Sequence, residues 1–421
     1  MKPPLFGCAI FDDSSAVGGG WACKAGGEPF LFLNRGDLHS DYIWITNIGA
    51  GDLKASGLGS LPNMRRKTYF GGAASLLEAS FQQILADFSA SSDRATMPES
   101  AKIMAEAIGE CIRLASEAYG IKHWSKPSFY EEIRGALGLA PYKGFSQEIV
   151  RALIGAWQQD SAASPHWSSM TSDYIVRTNR VYHSRRLLEG MVPGGGWEYV
   201  DGEALSERIL DRPDAILRKN RPALIRASVS FEGNTDPLAL VAFGATTFSP
   251  RNAPPRMWLT DRELLLLIEK AEVKIYGAWF ADRYEPLAEK LRLPSSVFSD
   301  ILSCLSYSAG LMAENHIAAL DTGFWQSNPK EGEPQTTFSP TAVWLKAADR
   351  VLTYPTAKVL ADAGLRVKAY GRGAVVVWAE PWDVRTLMEV CVENGLSLPV
   401  GMAAAAVDFE KGDSVWASST Q

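Results

Sequence analysis

The stretch VKAYGRGAVVVWAE, Val367 to Glu380, limits the fold more than any other. Two apolar runs flank Gly371-Arg372-Gly373. Apolar runs this close, joined by glycines, read as a β-hairpin. Apolar residues fill both strands, so the hairpin belongs inside a core. Its tip nevertheless carries an arginine and not an acid.

The rest of the chain must build that core. Up to about residue 90 it reads as α/β. LFGCAIF (Leu5 to Phe11) is a buried strand, GGGWACKAG and PFLFLN continue it as a meander, and DYIWITNIG (Asp41 to Gly49) is a further strand. GGAASLLEASFQQILADF follows with helical spacing at Leu76, Leu77, Phe81, Ile84, Leu85 and Phe88. A polar linker, SASSDRAT, leads to a long helix with Pro98 in its first turn and Gly120 just past its end. Helical stretches run on to about residue 158, and DSAASPHWSS is a second linker.

Beyond it, RPALIRASVSFEG and DPLALVAFGATTF read as paired strands, and KIYGAWFADRY as another. LTDRELLLLIEKAEV is a helix with Thr260 as N-cap and Glu263 completing a capping box. SSVFSDILSCLSYSAGLMAENHIAAL is a long helix. Another starts at Ser339-Pro340, bends or breaks at Pro355 and ends at Gly364, and a last one runs from Val384 to Asn394. The expectation is α/β in the broad sense, strictly α+β, in three parts: residues 1–90, a helical region 91–170, and a mixed domain 171–421.

The formal net charge of the 421 residues is −6, which argues against a basic coat for nucleic acid but leaves space for a local basic groove. Five cysteines, an odd count without C-x-x-C spacing, fit neither a disulfide framework nor a zinc ribbon. They suit reduced core thiols in a cytoplasmic protein. MKPPLFGCAIFDDSS is interrupted by two aspartates and does not read as a signal peptide. No apolar stretch reaches the roughly 18 residues of a membrane span, so no membrane partner is expected.

The five histidines show no metal-ligand spacing and read as surface or satisfied core imidazoles. There is no nucleophile elbow and no phosphate-binding P-loop, and GAGDLKASGLG reads as a surface loop. Asp12 and Asp13, directly after a buried strand, are the weak catalytic candidates. Adjacent acids at a strand end are how RNase H-like nucleases present carboxylates to two metal ions. Asp12-Asp13-Ser14-Ser15 also reads as an ordinary turn. Near strands, only Asp41 and Asp52 offer partner acids. Arginines cluster more usefully: Arg177, Arg180, Arg185 and Arg186 lie in RTNRVYHSRRLLEG among Tyr174 and Tyr182, Arg218 to Arg226 form a second group, and Arg65-Arg66-Lys67 a third. Cations interleaved with aromatics suit phosphate tracking and base stacking, or a solvated helix face.

An ordered series of segments resembles family B DNA polymerases. GMVPGGGWEYVDGE resembles the glycine-rich, template-contacting segment ahead of the palm, and ALIRASVSFEG the first palm strand. WLTDRELLLLIEKAEVKIYGAWF resembles the T-x-x-E-L helix and strand. ILSCLSYSAGLMA stands where the fingers helix would be. The long helix and VKAYGRGAVVV resemble the feed into the central palm hairpin. Active members carry Tyr-x-Asp-Thr-Asp there. Here Tyr370 matches the tyrosine, while Arg372, Gly373 and Ala374 replace Asp, Thr and Asp. Arg226 falls near the acid of the first palm strand, and no lysine occurs between Lys290 and Lys330. Two Mg²⁺ ions about 4 Å apart need converging carboxylates, and an arginine repels them. IFDDSS resembles the first exonuclease strand, with Ser14 where that family has Glu.

The resemblance implies an RNase H-like N-terminal domain, a helical middle and a palm-like C-terminal half. Its function would be to bind DNA or RNA without polymerase catalysis, as a replication or mobile-element accessory. Arg177, Arg180, Arg185, Arg186, Arg226 and Arg372 are then the binding residues, and no cofactor or metal is expected. Two alternatives stand beside it. One is a metal-dependent nuclease using Asp12 and Asp13 with Mg²⁺. The other is a protein–protein scaffold, for which 13 tryptophans, Trp325 and Trp378 among them, supply anchors.

Overall fold

The computed structural model describes residues 5–12, 18–48, 64–65, 81–88, 90, 94–121, 145–157, 161–162, 173–178, 180–213, 217, 221–231, 236–244, 256–287, 308, 311, 324–325, 337–371 and 373–399. The long helix expected over SSVFSDILSCLSYSAGLMAENHIAAL falls almost wholly outside them, as do the loop GAGDLKASGLG and the start of the helix before Phe81.

The N-terminal sheet holds β1 (Leu5–Phe11), β2 (Gly20–Lys24), β3 (Phe30–Phe32), β4 (Tyr42–Thr46) and β5 (Met64–Arg65), in the order β3-β2-β1-β4-β5. The first three form the antiparallel meander, and β4 and β5 run parallel to β1. After Leu5 every residue of β1 is buried, as a strand covered on both faces must be. Helices α1 (Phe81–Asp87) and α2 (Met97–Tyr119) cover one face, packing Ile84, Met104 and Ile108 with Phe6, Cys8 and Ile10. On the other face Trp44 lies across Gly7 so closely that a Cβ there would stand 2.4 Å from the indole, and only glycine fits. Pro98 and Gly120, the latter at φ 62°, bound α2 as the sequence predicts.

Helix α3 (Gln147–Trp157) and the short β6 (Ser161–Ala162) lead to β7 (Asp173–Arg177), α4 (Arg180–Leu188), β8 (Met191–Asp201) and α5 (Glu203–Asp211). Next come β9 (Ala223–Ser230), α6 (Ala239–Gly244), β10 (Arg256–Thr260), α7 (Asp261–Ile268) and β11 (Glu272–Pro286). After β12 (Phe324–Trp325) and β13 (Thr337–Phe338), α8 (Pro340–Asp362) feeds the hairpin of β14 (Arg366–Gly371) and β15 (Ala374–Trp378), and α9 (Val384–Glu393) follows. An antiparallel sheet has the order β10-β9-β11-β8. The hairpin forms the centre of another, β6-β14-β15-β7.

Two expectations fail locally. DPLALVAFG is not a strand: its described part forms α6, and β9 pairs with β10 and β11 instead. Asp236 starts the helix, its Oδ1 accepting from the Leu238 N–H at 2.9 Å, with Pro237 suited to a first turn. Nor does Pro355 break the chain, because α8 runs through it. Tyr354 is tied to Asp236 at 3.1 and 3.2 Å, and Ala357 and Leu360 are buried just beyond, so packing on both sides outweighs the one backbone bond proline removes.

From Pro340 to Arg350, α8 is buried on all sides. Val343, Trp344 and Leu345 join the core that reaches the N-terminal sheet, while Tyr354, Ala357 and Leu360 join the core beneath the β8–β11 sheet. No helix among the described residues is long and apolar enough to cross a membrane.

Asp261 opens α7 inside this packing, 3% exposed, and accepts a hydrogen bond from the Tyr284 hydroxyl. Burial pushes its carboxyl up to about 6, against the opposing pull of Tyr284. A raised folded pKa means that the protonated form suits the fold. Its stabilisation is full below about pH 4 and is lost as the pH rises through about 6. The change amounts to roughly 3 kcal/mol across that window. The difference in urea midpoint between wild type and Asp261→Asn should therefore vary with pH between those limits and be constant above them. A difference independent of pH would refute the assignment.

Candidate nucleic-acid interface

The hairpin turns at Gly371 and Gly373, at φ 125° and 65°, which glycine adopts without strain. Arg372, between them, lies outside the described residues. Beneath the tip, α8 presents Asp349, 4% exposed. Its Oδ1 accepts from the Gly373 N–H at 2.8 Å and meets His183 Nε2 of α4 at 2.6 Å. Gly371 sits against these residues: a Cβ there would be in ordinary contact with Asp349 Oδ2 at 3.5 Å and Arg350 Cγ at 3.4 Å. From the flanking strand, the Thr178 N–H and hydroxyl donate to the Gly373 carbonyl at 3.0 and 3.1 Å. Arg177, 8% exposed, stands opposite Ala374. His183 is thus a satisfied core imidazole, as its lack of metal-ligand spacing suggests.

A two-metal site needs several acids to converge. The strand beside β15 is β7, and Arg177 is the residue it brings to the tip. Arg226, which the resemblance puts near the acid of the first palm strand, stands in the other sheet, exposed and opposite Trp258. Both strands are apolar runs with an arginine, DYIVR and ALIR, which is why spacing alone does not separate them. Among the described residues no three His, Cys, Asp or Glu side chains converge as a metal site.

The next residue of α8, Arg350, meets Glu263 of α7, Nε to Oε1 at 2.7 Å and Nη2 to Oε1 at 2.5 Å, both side chains 5% exposed. Glu263 Oε2 accepts from the Thr260 N–H and hydroxyl at 3.1 and 3.0 Å, completing the expected capping box. The crevice between this pair, Tyr354 and Tyr370 measures about 10 Å³, room for a single water and no larger ligand.

Helix α4 buries His183, Ser184, Leu187 and Leu188 and turns Tyr182 and Arg186 to solvent. Arg185 Nε and Arg186 Nη1 both approach Glu189, at 3.0 and 3.9 Å. One carboxylate facing two guanidiniums leaves net positive charge on this face. Arg180 opens the helix. In the second arginine group, Arg221 is held by Glu198 at 3.3 Å and the Ala281 carbonyl at 3.1 Å. The glycine-rich segment exposes Gly195 and Gly196. It forms β8, where the Gly196 N–H donates to Asp282 at 2.6 Å and Glu285 crowds Gly194. Glu285 is in turn paired with Arg283 at 2.7 Å.

No family model and no curated protein matches this chain. Among solved structures, it is similar to Phi29 DNA polymerase complexed with single-stranded DNA, at 11% identity over 91% of this chain and 82% of that one, with a TM-score of 0.41. It is similar also to the ternary complex of that polymerase with primer-template DNA and incoming nucleotide substrates, at 10% identity over 92% and 82%, with a TM-score of 0.38.

At the N-terminal candidate, exposed Asp12 donates its N–H to the Gly19 carbonyl at 3.1 Å and lies 4.0 Å from Arg94. Asp13 and Asp52 lie outside the described residues. Because β4 runs parallel to β1 with Tyr42 beside Leu5, Asp41 stands at the far end of the sheet, about 25 Å from Asp12. The residue that β4 delivers beside Asp12 is Asn47, whose amide bonds the Phe11 N–H and carbonyl at 3.0 Å each. The sequence reading missed Asn47, Asp349 and the Glu263–Arg350 pair. A charged Asp349-Arg350 step within the largely apolar run Pro340 to Leu352 was the available signal for the last two.

Proposed function

We propose that this chain is a non-catalytic, polymerase-like protein that binds DNA or RNA, an accessory of replication or of a mobile element that works in the cytoplasm. The observation that carries this reading is the hairpin tip. Ala374 stands where the resemblance expects the hairpin's second acid, Arg177 lies opposite it, and among the described residues the carboxylate beneath them, Asp349, is taken up by His183 and a backbone N–H. The strand order β3-β2-β1-β4-β5 supports an RNase H-like N-terminal domain, and the central hairpin on a long helix supports a palm-like C-terminal half. Arg180, Arg185 and Arg186 at α4, with Arg372 at the tip, give a phosphate chain its contacts. The reaction that would need Mg²⁺ is absent from this reading.

Fluorescence anisotropy of labelled single-stranded DNA, RNA and primer–template at two salt concentrations tests it. Salt-sensitive binding is expected, with no extension or cleavage after Mg²⁺ and dNTPs are added. Reversing Arg185 and Arg186 to glutamate should weaken binding at least ten-fold at low salt and reduce the slope of log K against log salt by about 2. Extension would overturn the reading. Cleavage abolished by Asp12→Ala would replace it with the nuclease, and absence of binding at low salt with the scaffold.

A further inference from the structure

We propose that the outer face of the β8–β11 sheet is a stacking platform for single-stranded nucleic acid. In β9, Ile225, Ala227 and Val229 enter the core, so Arg226, Ser228 and Ser230 take the opposite face. Register places Arg256 and Lys274 opposite Ser228, and Trp258 and Gly277 opposite Arg226. At its Leu224 end this face is covered by the core that includes Trp197, Trp258 and Trp279. Beyond that end it is open: Arg226, Arg256 and Lys274 are exposed, and Tyr199 is 43% exposed.

A bulge makes this surface. The register of β11 against β9 slips between Ile275 and Gly277, leaving Tyr276 as the extra residue. Strand side chains alternate, so without the slip Ala278 and Phe280 would continue the outer row from Lys274. With it, Phe280 returns to the core and Trp279 comes out beside Tyr199, their rings 5.0 Å apart. Tyr276 is fixed on the same face. Its hydroxyl lies 3.2 Å from Ser228 Oγ, and Arg256 and Lys274 stand 4.3 and 5.7 Å from its ring centre. Gly277 keeps the middle flat, since a Cβ there would meet the Tyr199 hydroxyl at 2.4 Å.

Rings and a guanidinium plane on an open sheet, with cations between them, hold unstacked bases while the cations follow the phosphates. A duplex keeps its bases stacked and has nothing to lay on such a surface. The acids of this face are Asp201, held by the Tyr199 hydroxyl at 3.4 Å, and Glu272 at the Ser230 end. Three cations exceed them and complement a polyanion.

The inference rests on the nucleic-acid-binding reading, and the test separates the two. Wild type and the double variant Arg226→Ala, Tyr276→Ala are titrated into fluorescein-labelled oligothymidylate, with urea midpoints measured in parallel. A loss of roughly ten-fold or more in affinity at an unchanged midpoint is expected. Equal affinity in the variant overturns the platform and leaves the broader reading intact; no binding by wild type ends both. Should the variant be destabilised, photocrosslinking wild type to a 5-iododeoxyuridine strand decides. Crosslinks on Tyr199 or Tyr276 support the platform, and crosslinks confined to other segments overturn it.

Discussion

Glu263→Ala is expected to cost about 3–5 kcal/mol of folding stability, the range for removing one partner of a buried ion pair. The carboxylate is 5% exposed and serves two elements at once. Its Oε1 neutralises Arg350 beneath the hairpin, and its Oε2 completes the cap of α7 through Thr260. Alanine leaves a guanidinium buried without its counter-charge and removes an N-terminal cap, itself worth about 1 kcal/mol. The hairpin seat should loosen with it, because Gly371 packs on the stem of Arg350. Urea unfolding of Glu263→Ala and of Glu263→Ala, Arg350→Met tests this. The double variant should recover much of the loss, since an apolar side chain of similar length has no charge to strand. A single variant within about 1 kcal/mol of wild type would show that Arg350 is already well served elsewhere.

Asp349→Ala should be nearly as severe, at roughly 2–5 kcal/mol, because it removes the acceptor facing two buried groups, the Gly373 N–H and His183. Its second consequence separates it from Glu263→Ala. The tip it holds carries Arg372, and the helix bearing His183 carries Arg185 and Arg186. Loss of Asp349 should therefore weaken nucleic-acid binding even at temperatures where the variant remains folded. Asp349→Asn keeps an acceptor for one donor and should fall between. Anisotropy and denaturant melts on the same samples read both effects. Full affinity in a folded Asp349→Ala protein would detach the tip from binding.

The contrast between these sites and the ones read from sequence is one of range. The hairpin, its glycines, the first meander and the Thr260–Glu263 box are set by residues within a few positions of one another, and each was legible. DPLALVAFG was not, because a short apolar run fits strand and helix equally until Asp236 is seen to start the turn. Pro355 misled because its local cost is real while the packing that overrides it comes from elsewhere. The geometry of the candidate site was not legible. His183 and Asp349 are 166 positions apart, and no spacing rule connects them. Arg177 and Arg226 sit in look-alike strands, and only the sheet order says which one reaches the tip.

The burial of α8, on all sides from Pro340 to Arg350 and on one face beyond, has a consequence for how this chain comes apart. A helix with its first turns in one core and its last turns in another cannot leave either alone without exposing apolar surface in both. Chains of this size commonly melt in stages, one domain after another. Here the shared helix acts as an axle through both wheels, so the N-terminal sheet and the hairpin sheet stand or fall as one cooperative unit.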